Sequence, residues 1–347
     1  MLEKYLEDLE SSINPDIEED LLNQWSDFCF DRFTGDLFVP KRQASCPNRM
    51  EWPNVPVNDA LDNFDLMALS QFKTCRQSLA AGSGSPLSAR CNYGVAVLPS
   101  LFGATLYRMD PKLNTLPSCL PLEGGMEAIK ALVKKGVPDL MGGYGGQVFE
   151  MAERFMEIGS RYPKIGKYVH IFHPDAQGPM DICELLWGSS IFLDIMDEPD
   201  LVHDFLTLVT ETYIRFMERW FSIVPAREGV NAHWNLMHRG KIMLRDDSAM
   251  NFSPAIFEEF IRPYDQKLLK IFGGGAIHFC GRGDHYIEIA SKMEGLYAIN
   301  MSQPEYNNME IIYQHTVDRN IKLVGFNAAV AREALARGRS LHSCAQA

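Results

Sequence analysis

From Tyr162 onward the chain alternates short apolar runs with longer stretches in which apolar residues recur every third or fourth position. The first pattern marks buried strands and the second amphipathic helices. Strands are predicted at 168–173, 230–235, 243–246, 276–280, 296–301 and 321–326. A long helix opens at Asp197-Glu198-Pro199 and buries the stripe Leu201, Phe205, Leu208, Tyr213, Phe216 and Trp220. Ser253-Pro254 caps the next helix, which Pro263 is expected to kink. Asp284 is expected to cap a helix after 276–280, and Gly295 to end it. Two further helices are predicted near 309–317 and 328–337.

The first half is less regular. Residues 1–30 are acidic, with Leu2, Tyr5, Leu6 and Leu9 at helical spacing. Residues 34–57 are rich in Pro, Gly and Asn and carry Lys41, Arg42 and Arg49. This is either a solvated loop or a lid bringing cations to an anionic substrate. A helix is predicted at 60–76 and a strand at 90–98. Gly142 to Gly146 form a tight loop before a helix at 147–158. Repeated strand-then-helix units imply a parallel sheet covered by helices. No GxGxxG fingerprint is present, so a closed (β/α)8 barrel fits better than an open doubly wound sheet. Residues 1–80 are expected as a helical extension packed on a barrel formed by 81–347.

The chain has 347 residues, 46% of them hydrophobic, enough for a sizeable core. Its formal charge of −12 argues against nucleic acid as a partner. Eight cysteines lie scattered without CxxC spacing, and no signal peptide or apolar run of membrane length is evident. A reduced, cytoplasmic protein acting on a small molecule is the expectation.

Candidate chemistry gathers at the predicted strand ends. His278 and Cys280 are two apart in a strand, so both project from one face. Active sites of parallel α/β folds sit at the carboxyl ends of strands. His173, Asp175, Gln177, His233, Asp246, His278, Cys280 and Gln303 are therefore expected to converge on one cavity. Asp246, Asp247, His173 and His233 are candidates for proton transfer. Arg90, Tyr93, Tyr144, Asp175, Gln177, His285, Gln303 and Asn327 are candidates for binding substrate. Each has a plainer reading: a His-x-Cys pair is often core, Asp246-Asp247 can stabilise a helix start, and His173-Pro174-Asp175 can be a turn.

Four segments carry a family resemblance. QGPMDICELLWG, RDDSAMNFSPAIFEEFIRPYDQKLL, IHFCG and KLVGFNAAVAREAL resemble signature segments of the uroporphyrinogen decarboxylase superfamily. The resemblance covers Tyr168 to Leu335 and implies a (β/α)8 barrel with its pocket at the carboxyl face. True decarboxylases of that group use no metal and hold an acidic tetrapyrrole with paired N-terminal arginines. Here Lys41-Arg42-Gln43-Ala44-Ser45 lacks the second arginine, and Asn92-Tyr93-Gly94 offers no carboxylate. The methyltransferase branch, which acts on corrinoids, binds zinc through His-x-Cys and a later cysteine. That resemblance implies zinc on His278, Cys280 and Cys344, with a corrinoid protein or a thiol as methyl partner. In the methionine synthase relatives a glutamate ligand follows on the next strand; Asn300 stands at about that place. A metal-free decarboxylase and a non-catalytic ligand-binding barrel remain as alternatives.

Overall fold

The computed structural model describes residues 2–347. The strands, in chain order, are β1 (Ser88–Arg90), β2 (Leu106–Tyr107), β3 (Ser118–Cys119), β4 (His170–Phe172) and β5 (Val230–His233). They continue with β6 (Leu236–Arg239), β7 (Ile242–Arg245), β8 (Gly275–Phe279), β9 (Leu296–Met301) and β10 (Lys322–Leu323). β7, β8, β9 and β10 form a parallel four-stranded sheet, and β1 pairs parallel with β4. The fold is a mixed α/β architecture whose parallel strands are joined through helices.

Alternation along the sheet sorts its side chains into two layers. Leu244, Ile277, Ile299 and Leu323 join the main core under the helices. Met243, Ala276, Ala298 and Val324 point the other way, into a second core with Trp25, Phe28, Phe38, Leu236 and Met237. Period-two geometry then puts Arg245, His278 and Asn300 on that inner face, two residues further along. The register makes those three direct neighbours across β7, β8 and β9.

The expectation of six parallel strands in a closed barrel needs correcting. β5 pairs antiparallel with β6, with Val230 opposite Arg239 and His233 opposite Leu236. A hairpin therefore replaces the predicted strand at 230–235. Its turn brings Leu236 and Met237 into the inner core, where Ala276 and Ala298 leave room for them. The backbone ladders do not join into one ring among the described residues. Between β4 and β7 the gap is bridged instead by the Met243 N–H donating to His173 Nε2 (3.0 Å) and the Gly178 N–H to the Arg245 carbonyl (2.8 Å). At the other edge the C-terminal residues run alongside β10. Leu323 N donates to Cys344 O at 2.7 Å, and Phe38 N to Ala345 O at 2.9 Å.

Three further differences are local. After Arg90 the predicted strand at 90–98 gives way to a loop and a short helix, Val97–Leu101. Asp284 caps no helix side-on; it bonds Arg282 and the Asn308 N–H. Before Pro263 the helix contains a π-turn, Phe257–Ile261. Proline has no N–H to give, and the widened turn absorbs the missing bond. The cationic loop is no lid at Arg42, whose guanidinium is buried against Glu18 at 2.7 and 2.8 Å. Removing one partner of such a pair costs on the order of 3–5 kcal/mol. Among the described residues no helix is long and apolar enough to cross a membrane.

Candidate metal and substrate site

His278 is the last inner-layer residue of β8, and Cys280 follows two residues on, just past the strand. Asp247 lies just past β7, where a short 3-10 turn, Asp247–Asn251, bends the chain across the strand ends. Its Oδ1 accepts the Cys280 N–H at 2.7 Å. One ligand atom each from Asp247, His278 and Cys280 lies within 4.8 Å of the others. His278 Nε2 is 3.5 Å from Cys280 Sγ and 3.7 Å from Asp247 Oδ1.

The hydrogen bonds set the tautomer of His278. Asn300 Nδ2 donates to the Val324 carbonyl at 2.6 Å, which turns Asn300 Oδ1 toward His278 Nδ1, also at 2.6 Å. Nδ1 therefore carries the proton. Nε2 keeps its lone pair, and it faces the thiol and the carboxylate. Burial holds the imidazole below its usual range, against the pull of Asp247, so the ring is neutral near pH 7. Burial also raises the Cys280 thiol. Without a cation beside it, Cys280 is protonated.

Around this trio sits a charged lattice. Arg245 ends β7 with its guanidinium 2.5 Å from Asp175 Oδ1, 2.8 Å from His233 Nε2 and over the Trp234 ring at 4.7 Å. Arg90 pairs with the other oxygen of Asp175 at 3.0 Å, and Gln177 Nε2 donates to Oδ1 at 3.3 Å. Trp234 packs edge-on against His278, with ring centroids 4.9 Å apart. Gln303 Oε1 accepts the Gly281 N–H at 2.5 Å and so steadies the loop after Cys280. Asp181 accepts the N–H groups of Asp247 (3.0 Å) and Ser248 (2.8 Å), anchoring the turn that carries Asp247. Behind it, Asp246 and Asp265 are both buried. Burial, with the nearby Asp181 charge, raises the Asp265 carboxyl to about 8, and burial with the Asp265 and Asp247 charges raises Asp246.

Several candidates take other positions. Cys344 is not near His278 and Cys280. It lies 3.3 Å from Lys322 Nζ, in the C-terminal segment alongside β10, which is itself two strands across from β8. At about 4.8 Å per strand that is on the order of 10–15 Å. The third donor-bearing side chain beside His278 and Cys280 is Asp247 rather than the expected cysteine. His173 spends both ring nitrogens on backbone, donating from Nδ1 to Pro174 O (2.8 Å) and accepting at Nε2 from Met243. Burial pushes it down to about 3. His233 is fully buried, and its Nε2 lone pair is taken by Arg245. Asn327 caps the helix Ala328–Ala336. Tyr93 and Tyr144 pack on each other in the core, 5.2 Å between ring centroids. His285 bonds the Phe252 carbonyl at 2.9 Å and meets the Tyr286 ring edge-on.

Sequence reasoning missed Arg245, Trp234, Asn300 as a histidine partner, and Glu184. For Arg245 there was a signal: a single cation closing the apolar run Ile242-Met243-Leu244. A charge at a strand's carboxyl end is expensive unless it has a function or a partner.

A cleft of about 390 Å³ opens beside the trio, lined by Gln177, Asp181, Glu184, Asp247 and Ser248 with Val95 and Leu185. No protein-family model matches the chain, and no curated protein matches it. Among solved structures, it matches a methyltransferase from Methanosarcina mazei with a TM-score of 0.64. The match has 18% sequence identity and covers 87% of this chain and 81% of that one. At that identity the likeness is one of fold: this chain shares the fold of a methyltransferase.

Proposed function

We propose that this chain is a metal-dependent methyltransferase on a (β/α)8-type scaffold, with zinc held by Asp247, His278 and Cys280. The observation that carries the reading is the convergence of these three donors within 4.8 Å. Their chemistry suits zinc, which takes N, S and O ligands. Separations of 3.5 and 3.7 Å from His278 Nε2 match the edges of a tetrahedron with bonds of about 2.0–2.3 Å. The Asn300 contact supplies what a ligating histidine needs, an acceptor on its other nitrogen. Bound zinc would supply a Lewis acid that holds a thiol as thiolate at neutral pH, the form that exchanges methyl groups.

The chain's own residues do the remaining work. Asn300 and Trp234 fix the His278 ring. Asp181 and the Cys280 N–H orient Asp247. Three protein ligands leave a fourth position for substrate. A corrinoid on a partner protein, or a thiol, is the methyl partner that the superfamily resemblance implies, and the fold match to a methyltransferase supports that branch. The metal-free decarboxylase reading loses support because His173 and His233 have no free lone pair for a base's role.

Elemental analysis tests the proposal. Purified protein should carry about one zinc per chain. Cys280→Ser should lose most of it with an unchanged melting temperature, while Cys344→Ser should retain it. Full zinc in the Cys280 variant would sink the metal site; loss in the Cys344 variant would sink this ligand set.

A further inference from the structure

We infer that the cleft beside Asp247 takes a small methylated ammonium ion. The inference rests on the metal-site reading and names the substrate class of that site. Its basis is the charge and hydrogen-bonding character of the lining. Three acidic side chains border the cleft, Asp181, Glu184 and Asp247, and no lysine or arginine does; burial lifts Asp181 well above the usual carboxylate range, which leaves the charge to the other two. The nearest arginines, Arg90 and Arg245, are both bound to Asp175. A divalent metal would be neutralised by the Asp247 carboxylate and the Cys280 thiolate, with His278 neutral. Glu184 then remains. It accepts the Ser248 hydroxyl and has no basic partner among the described residues.

Gln177 supplies a second, independent observation. It is only 4% exposed and lines the cleft. Its amide nitrogen is used on Asp175, while its carbonyl oxygen accepts no hydrogen bond from the chain among the described residues. A wall whose charged groups are all acidic, and whose Ser248 hydroxyl is turned to Glu184, complements a cation with N–H or polarised methyl groups pointing outward. Val95 and Leu185 give those methyl groups apolar contact. An anionic substrate would meet Glu184 with nothing to offset it, and such like-charge contact is a strong source of discrimination. The volume suits a small ligand, at the low end of the range for binding pockets.

Isothermal titration with three molecules of one shape tests this: trimethylammonium, tert-butanol and pivalate. Zinc-loaded and metal-free protein should both bind trimethylammonium and reject pivalate, with tert-butanol between them. Glu184→Gln keeps the Ser248 contact and should weaken trimethylammonium binding roughly fivefold, the scale of one solvent-accessible ion pair. Zinc content should not change in that variant. Added salt should weaken binding to the wild-type protein, a check that needs no variant. Tighter binding of pivalate, no binding of trimethylammonium, or affinity indifferent to both Glu184→Gln and salt overturns the inference. Trimethylammonium binding as expected in a protein that holds no zinc supports it while the metal reading alone fails.

Discussion

At the scale of single residues, the site depends on which nitrogen of His278 is free. Asn300 decides this because its own amide is pinned by the Val324 carbonyl. Replacing it by leucine removes the acceptor on Nδ1 and releases the ring to rotate. Such outer partners typically carry 10- to 100-fold in metal affinity. Asn300→Leu should therefore lower zinc affinity by roughly that factor in a chelator competition, with zinc still bound at saturation. Affinity equal to wild type would mean that the ring is held by Trp234 alone. Trp234 itself adopts φ 51°, the left-handed region. For a bulky side chain this costs roughly 1–2 kcal/mol. Its contacts with Arg245 and His278 are what offset that cost.

At the scale of elements, the β5–β6 hairpin supports the site. It carries Trp234 at its turn and inserts Leu236 between β9 and the end of β10. The fit there is close: a Cβ on Gly325, whose φ is 62°, would lie 2.6 Å from Asn300 Nδ2 and 2.9 Å from a Leu236 methyl. Glycine is thus required at 325 on both conformational and spatial grounds. Leu236 is 5% exposed. Leu236→Ala should cost about 2–4 kcal/mol in denaturant unfolding, because the surrounding sheet collapses only partly around the void. It should also loosen Trp234 and so reduce zinc affinity. Stability within about 0.5 kcal/mol of wild type would show that the hairpin is dispensable to the inner core.

At the scale of the whole molecule, pH acts through groups that folding pushes away from their usual range. Asp265 rises to about 8, chiefly from burial and then from the Asp181 charge, against a lowering contact with Asp246. The folded chain then holds a proton that the unfolded chain releases above about pH 4. Stability from this group is complete at low pH and is lost as pH rises through the interval up to about 8. Asp265→Asn mimics the protonated form. Its melting temperature should be near wild type at acidic pH, exceed it increasingly as pH rises toward about 8, and keep that margin above. A difference independent of pH would rule out the titration. The buried histidines act with opposite sign. His238 falls to about 4 and His173 to about 3, both chiefly by burial. They subtract stability as pH falls below the ordinary histidine range, so acid unfolding should begin there even though Asp265 favours low pH.

The sequence by itself determined the alternation of strands and helices from Tyr162 onward, the inner-face pairing of His278 with Cys280, and the absence of a dinucleotide loop. These follow from local periodicity and side-chain type, which need no knowledge of distant neighbours. It also led to the expectation that Asp246, Gln177 and Asp175 lie near one another, because they follow strands and strand ends share a face. Only the tertiary structure decided the third donor. On paper Cys344 was the expected third donor and Asp247 a candidate for proton transfer; strand order puts Cys344 beyond β9 and β10, and Asp247 across a single hydrogen bond from Cys280. Tertiary contacts also turned 230–239 into a hairpin, since its apolar residues bury equally well as an inserted ribbon or as a barrel strand. They gave both ring nitrogens of His173 to backbone partners. Local pattern reports how polar a position is. Which partner meets a polar group, and therefore whether its lone pair is free for chemistry, is set by residues distant in the chain, 70 positions away for His173 and 85 for Asp175.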